Sequence, residues 1–127
     1  MKTVSGWLLE QLLNDDGRHK ATIHNYAAGE TVFRVGDPGD YLAVLLSGCI
    51  EISKGTQLIS IVEPGSMFGE MGIIDRQPRV ADAVAKRDSR IAELREGQFT
   101  SLLQATPEFG LAIMRLLTDR VRRRMET

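Results

Sequence analysis

Glycine divides the middle of this chain into pieces that are too short for ordinary helices. Between residues 29 and 72 it occurs at positions 29, 36, 39, 48, 55, 65, 69 and 72. The stretches between these positions are rich in β-branched residues, and glycine marks tight turns, so the spacing predicts many short strands. The candidate strands are 31–33, 41–46, 49–53 and 58–62, with a tight hairpin loop at 54–57, followed by 81–85 and 90–94 after the turn at Pro78.

Before this β region, an apolar stripe predicts a short helix. Val4, Trp7, Leu8, Leu12 and Leu13 recur at steps that suit one face of an amphipathic helix. Such a helix either packs against its own domain or binds a partner.

From Glu96 onward the pattern is helical again. Phe99, Leu102 and Leu103 form one short stripe, and Pro107 suits the first turn of a second helix. We expect this long helix to pack on the β region by one apolar side, formed by Phe109, Ile113, Leu116, Leu117, Val121 and Met125. The sequence therefore predicts a single domain over 1–127, with a helical segment at 1–28, a β region at 29–95 and helices at 96–127.

The composition excludes several classes of protein. The 127 residues are 43% hydrophobic, which is enough to bury a core without disulfides or a structural metal. A net charge of −1 gives no overall positive field that would attract nucleic acid or an acidic membrane. The sequence also contains no run of about 18 apolar residues, the length needed to cross a bilayer. With no export signal, and with its one cysteine, Cys49, in an apolar run, we expect a cytoplasmic protein.

Few side chains are available for catalysis. The two histidines, His19 and His24, both precede the predicted strands, so no set of histidines on neighbouring strands would hold a catalytic metal. The sequence also lacks the Gly-x-Ser-x-Gly elbow of many hydrolases. We therefore expect a protein that is not an enzyme and that needs no metal or cofactor.

The segment 64–83 combines glycines with one acid and one arginine in an order that suits an anion. Gly69 and Gly72 leave backbone N–H groups approachable, and a short helical turn there would direct them at a phosphate. Arg79 would present a fork of donors to two phosphate oxygens, and Glu70 would accept hydrogen bonds from sugar hydroxyls. Phosphate plus sugar indicates a nucleotide; a structural ion pair between Glu70 and Arg79 is the alternative.

This segment closely resembles the phosphate-binding cassette of the cyclic nucleotide-binding domain family. The family pattern is Phe-Gly-Glu, an apolar, a small and two apolar residues, a variable loop, and then Pro-Arg, a small residue and Ala; residues 68–74 and 78–81 match it closely. The stretches 29–33, 35–40, 44–48 and 63–65 resemble the other landmarks of the family in the same order. The resemblance covers about residues 18 to 127.

The resemblance implies an antiparallel eight-stranded jelly-roll barrel, or double-stranded β-helix, mainly β with an N-terminal helix and a long C-terminal helix. It also implies that the barrel binds cAMP or cGMP, with Glu70 on the ribose 2′-OH and Arg79 on the cyclic phosphate. Apolar residues near the purine would equally suit an ordinary barrel core. The predicted ligand-binding set is Phe68, Gly69, Glu70, Met71, Gly72, Arg79, Val80, Ala81, Ile52, Ile59, Ile61, Arg124 and Met125.

Two departures from the family bear on function. Val80 stands where relatives that bind guanine carry Ser or Thr, and valine donates no hydrogen bond, so cAMP is favoured over cGMP. Gene regulators of the family carry a winged helix-turn-helix after the long helix, whereas this sequence stops at Thr127. We therefore expect no DNA binding and no output segment; a protein effector, a homodimer or a parent chain would supply the output. A barrel-fold interaction module that binds no nucleotide is the alternative function.

Overall fold

Two long antiparallel strands form the centre of the fold. The structure is a computed structural model that describes residues 21–69, 73–74 and 76–126, with the side chains at 123, 124 and 126 outside the description. In these residues six strands precede two helices: β1 Thr22–Tyr26, β2 Thr31–Phe33, β3 Tyr41–Lys54, β4 Gln57–Val62, β5 Met67–Phe68, β6 Asp82–Arg95, α1 Glu96–Ala105 and α2 Pro107–Glu126.

Strands β3 and β6 pair along their whole length, from Tyr41 opposite Arg95 to Ser53 opposite Asp82. The sheet order is β1-β6-β3-β4, with β2 also paired to β6 and β5 also paired to β3. All of these pairs are antiparallel. This arrangement brings the short strand β5, which precedes the predicted cassette, against the middle of the molecule.

The β3–β6 ladder shifts register around Gly48 without ending there. Gly48 has a φ of +98°, and a Cβ at this position would lie 2.5 Å from the carbonyl oxygen of Asp88, so the strands approach too closely for a side chain. The buried hydroxyl of Ser89 accepts a hydrogen bond from the Cys49 N–H (3.1 Å) and donates one to the carbonyl of Arg87 (2.8 Å). The bend is thus held by hydrogen bonds in place of regular pairing.

This continuity explains why the strand count differs from the expectation. The predicted strands 41–46 and 49–53 are two halves of β3, and 81–85 and 90–94 fall largely within β6. The described residues form six strands in a sheet that is not closed, so eight strands and a closed barrel are not confirmed. The mainly β architecture with C-terminal helices is confirmed.

The N-terminal part also differs from the expectation. Residues 1–28 were predicted as a helical segment, but Thr22–Tyr26 form strand β1, paired with Ser89–Glu93 of β6. The predicted stripe from Val4 to Leu13 lies outside the described residues. The sequence pattern did not predict this strand because it is only five residues long. Over so short a stretch, the alternation of apolar and polar residues gives little signal.

Side chains alternate between the two faces of the sheet and create two cores. In β3, Leu42 and Val44 face the helices, whereas Ala43 and Leu45 face the opposite side. The helix-side core contains Ala21, Leu42, Val44, Met67, Ile73, Ala92, Leu94, Leu102, Phe109, Ile113 and Leu116. The inner core contains Phe33, Tyr41, Ala43, Leu45, Ile50, Val62, Phe68, Ala83, Ala85 and Ile91.

Helices α1 and α2 begin where the sequence predicts them. The Gln98 side chain accepts a hydrogen bond from the Arg95 N–H (2.9 Å) at the start of α1, and the Thr106 N–H donates to the carbonyl of Leu102 (2.8 Å) at its end. Pro107 then opens α2. None of the described helices has the length and apolarity needed to cross a membrane.

The packed face of α2 is narrower than predicted. Phe109, Ile113 and Leu116 are buried, but Val121 is 57% and Met125 is 80% exposed. At about 100° per residue, Val121 and Met125 lie roughly 110° and 150° around the helix from the buried stripe. The next position on that stripe is occupied by Arg120.

Candidate functional site

The cassette arginine is buried in the inner core. Arg79 is only 5% exposed, and its guanidinium carbon lies 4.2 Å from the centroid of the Phe33 ring and 4.7 Å from that of Tyr41. Its Nη1 donates to the carbonyl of Gly69 (2.6 Å) and its Nη2 to the carbonyl of Tyr41 (2.7 Å). Aromatic faces and backbone oxygens therefore fix the plane of the cation.

The loop between β2 and β3 holds the backbone of Arg79. The Arg79 N–H donates to the carbonyl of Asp37 (2.9 Å), and the Gly36 N–H donates to the carbonyl of Arg79 (2.8 Å). Nearby, the Asp82 carboxylate accepts the Val35 N–H (2.8 Å). Position and orientation of this arginine are thus set by main-chain contacts as well as by its side-chain partners.

Gly69 is needed at the site for two reasons. Its φ is +73°, a conformation that residues with a Cβ rarely adopt. A Cβ at this position would also lie 2.6 Å from Nη1 of Arg79, well inside normal contact distance. The carbonyl of Gly69 reaches the guanidinium only because this side chain is missing.

The structure brings part of the predicted set together. Phe68 and Ala81 are buried, and the Phe68 ring lies 6.1 Å from that of Phe33, beside Arg79. Val80, next to Arg79, is 59% exposed. Glu70, Met71 and Gly72 lie outside the described residues, as does the side chain of Arg124, so their predicted contacts remain predictions.

The three predicted isoleucines do not share one surface. Ile52 packs against the inner core and lies opposite Ala83. Ile61 lies opposite Glu51, the neighbour of Ile52, and so falls on the other face of the sheet. Ile59 sits beside a register shift and is exposed. Of the three, Ile52 has the placement expected of a residue inside the roll, and Met125 is almost fully exposed.

The sequence analysis missed the residues that surround Arg79. Phe33 and Tyr41 carry the guanidinium on their rings, and alternation along β2 and β3 would place them on the inner face. Glu93 is 4% exposed, and its carboxylate contacts Nε2 of His24. Burial raises the pKa of Tyr41 above its ordinary value, and the nearby Glu93 carboxylate raises it further. No sequence pattern marks Glu93, because it is a single carboxylate in an otherwise apolar run at 91–94 and belongs to no motif.

A second missed residue connects α2 to the cassette strand. Nη2 of Arg120 donates to the carbonyl of Met67 at 2.5 Å. In the sequence, Arg120 stands beside a run of arginines at 122–124, and such a cluster at the end of a helix is ordinarily solvated. Counting four residues on from Leu116 along the buried stripe would have identified it.

The described residues contain no group of three or more His, Cys, Asp or Glu side chains that would hold a metal ion. What the described residues form is a buried cation held by backbone acceptors and aromatic walls. Such a site suits an anionic organic ligand.

The chain is similar to known proteins both in sequence and in fold. Residues 23–106 match the family model of the cyclic nucleotide-binding domain. Over 104 residues the chain is 32% identical to the CRP-like cAMP-activated global transcriptional regulator of Mycobacterium tuberculosis, covering 78% of this chain. Over 80 residues it is 39% identical to the cAMP-dependent protein kinase regulatory subunit of Aspergillus niger, covering 61% of this chain.

A solved structure from work on a cyclic-GMP-dependent signalling pathway in bacterial phytopathogenesis superposes with a TM-score of 0.83 at 26% identity, over 97% of this chain and 98% of that one. By contrast, the chain spans only 46% of the transcriptional regulator and 20% of the kinase subunit. The range matched by the family model, 23–106, contains Gly69 and Arg79.

Proposed function

This chain belongs to the cyclic nucleotide-binding domain family, and we propose that it is a non-enzymatic cytoplasmic sensor that binds cAMP in preference to cGMP. The observation that carries the proposal is the buried guanidinium of Arg79, fixed against the left-handed Gly69 inside the segment that matches the family. The similarity to a cAMP-activated transcriptional regulator and to a regulatory subunit of cAMP-dependent protein kinase supports it.

In this proposal Arg79 pairs with the cyclic phosphate. A cation that is 5% exposed lies in a poorly solvated environment, where a charge-assisted hydrogen bond to a phosphate oxygen is strong. The rings of Phe33 and Tyr41 and the carbonyls of Gly69 and Tyr41 hold the guanidinium before ligand arrives. Little side-chain conformational entropy is then lost on binding.

The remaining contacts follow the cassette. Glu70 accepts from the ribose 2′-OH, and backbone N–H groups near Gly69, Met71, Gly72 and Ala81 surround the phosphate. Ile52, on the inner face, contacts the purine. Val80 directly follows Arg79 and is 59% exposed, so we place its side chain beside the bound nucleotide.

The preference for cAMP rests on Val80. Its isopropyl group donates no hydrogen bond to guanine, which removes one source of selectivity for cGMP without harming adenine binding. The relative studied in cyclic-GMP-dependent signalling makes a direct comparison of the two nucleotides essential.

Helix α2 is the element that we expect to transmit the signal. Opposite its packed face it carries an exposed apolar stripe, Leu111, Met114, Val121 and Met125, spaced as in a coiled-coil seam with Thr118 between. We propose that ligand binding repositions α2 and that this stripe then forms a homodimer or meets a protein effector. Light scattering separates these outcomes, because a homodimer doubles the mass of the purified chain.

A second candidate function is an interaction module that retains the fold and binds no cyclic nucleotide. The observation that favours it is that both Nη atoms of Arg79 already donate to backbone carbonyls, as a structural residue would.

Thermal unfolding with cAMP and with cGMP tests both candidates. A ligand at 100 times its Kd adds about 2.7 kcal/mol to the free energy of unfolding, which raises the Tm by several degrees. The sensor requires a larger shift with cAMP than with cGMP, and AMP serves as the control for non-specific nucleotide binding. If neither cyclic nucleotide shifts the Tm, the sensor is refuted and the interaction module is the remaining candidate.

A further inference from the structure

Arg120 lies on the packed face of α2 and contacts the strand that leads into the cassette. Its Nη2 donates to the carbonyl of Met67 at 2.5 Å, in a partly buried contact. Met67 itself is fully buried in the helix-side core. A charged donor on a helix therefore satisfies a backbone acceptor of a strand far away in sequence.

The strand that receives this bond is very short. β5 consists of Met67 and Phe68 and pairs with β3 only through Val44 and Ala43. The next residue is Gly69, whose carbonyl accepts Nη1 of Arg79 at 2.6 Å. One residue, Phe68, thus separates the carbonyl held by Arg120 from the carbonyl that holds Arg79.

We propose that Arg120 is a positioning residue that couples the placement of α2 to the geometry of Arg79. When α2 lies on the sheet, Arg120 fixes β5 and with it the Gly69 carbonyl. When α2 moves away, the Met67 carbonyl loses a charged donor and β5 keeps only its pairing with β3. A buried acceptor without its donor is costly, so the arrangement with both bonds is favoured.

The coupling works in both directions. If docking of α2 improves the affinity of the Arg79 site for a nucleotide, then the bound nucleotide must improve the docking of α2 by the same factor. The ligand in this inference rests on the proposed function, whereas the link between α2 and β5 can be measured without any ligand.

The experiment compares three variants of the full chain. Arg120→Met keeps the aliphatic stem but removes the donors, and Arg120→Lys keeps a charged donor on a flexible stem. The matched control is Arg115→Met, which makes the same charge change at an exposed position of the same helix. Hydrogen exchange of the peptide spanning 66–69 and of α2, with and without cAMP, is measured beside cAMP affinity by calorimetry.

We expect Arg120→Met to increase exchange at 66–69 in the absence of nucleotide and to weaken cAMP binding about tenfold, the effect of one charge-assisted hydrogen bond. It should also reduce the protection that cAMP gives to α2, which a purely structural role would not change. Arg120→Lys should recover most of both effects, and Arg115→Met should match the parent.

Equal exchange at 66–69 in Arg120→Met and Arg115→Met overturns the proposal, as does equal cAMP affinity in the two variants. If the parent chain itself binds no cAMP, the proposed function fails, but the exchange comparison without nucleotide still decides whether Arg120 positions β5.

Discussion

Replacement of Gly69 by alanine tests whether the geometry around Arg79 makes a phosphate site. Two effects add at this position. The φ of +73° strains an alanine by about 1–2 kcal/mol. The new Cβ would lie 2.6 Å from Nη1 of Arg79, so the guanidinium must move and lose its bond to the Gly69 carbonyl. A lost charge-assisted hydrogen bond is worth about 1.5–3 kcal/mol.

Gly29→Ala is the matched control. Gly29 has a φ of +89° with no atom within 4 Å of a built Cβ, so this variant carries the strain without the collision. Gly29→Ala should lose about 1–2 kcal/mol of stability in urea unfolding, whereas Gly69→Ala should lose about 2.5–5 kcal/mol, because the lost hydrogen bond adds to the strain. Only Gly69→Ala should lose cAMP affinity, by about 10- to 150-fold in calorimetry. If the two variants bind cAMP equally well, Arg79 does not hold the phosphate in the way that its contacts with Gly69 imply.

Four further predictions follow from the same site. Arg79→Met should weaken cAMP binding by about 2–5 kcal/mol, or roughly 30- to several-thousand-fold in calorimetry, and unchanged affinity would refute the phosphate assignment. Glu70→Ala should bind cAMP and its 2′-deoxy analogue with similar affinity, whereas the parent should prefer cAMP; an unaltered preference in the variant contradicts the ribose role. Val80→Thr should raise cGMP affinity relative to cAMP, measured by competition, and no change in the ratio removes Val80 as the source of selectivity. Since burial raises the pKa of Tyr41, its neutral form stabilises the fold below pH 10, and this contribution is lost as the pH rises beyond the unfolded value of 10.0. In urea unfolding between pH 9 and 11, the free energy of unfolding should fall more steeply with pH in the parent than in Tyr41→Phe, by up to about 1.4 kcal/mol per pH unit. If the two proteins lose stability in parallel, the raised pKa of Tyr41 is not the cause.

Local signals in the sequence account for much of the fold. The starts of both C-terminal helices follow from Glu96 and Pro107, where capping and proline geometry act over a few residues. The turn between β3 and β4 follows from Gly55 in the same way. The number of strands did not follow, because whether Gly48 ends a strand or bends it depends on Ser89 across the sheet. That contact joins residues forty positions apart and leaves no local trace.

The same difference between local signals and contacts of distant residues decides which parts of the candidate site could be predicted. Gly69 and Arg79 were predicted because the cassette is contiguous and its order is specific. The aromatic walls from Phe33 and Tyr41 come from other strands, and only the sheet register brings them to the guanidinium. The assignment of Val121 to the packed face failed because apolar character alone does not distinguish the two faces of a helix that is apolar on both.

The two apolar faces of α2 suggest how a binding event would become an output. One face packs on the sheet and includes Arg120, while the opposite face exposes Leu111, Met114 and Met125. A ligand shifts such a helix only by the difference in its affinity for the two placements. If a single charge-assisted hydrogen bond at Met67 carries most of that difference, the shift is limited to about 10- to 150-fold. Ligand then changes the major state only if the docked helix makes up at least roughly 1–10%, and less than half, of the population before ligand arrives.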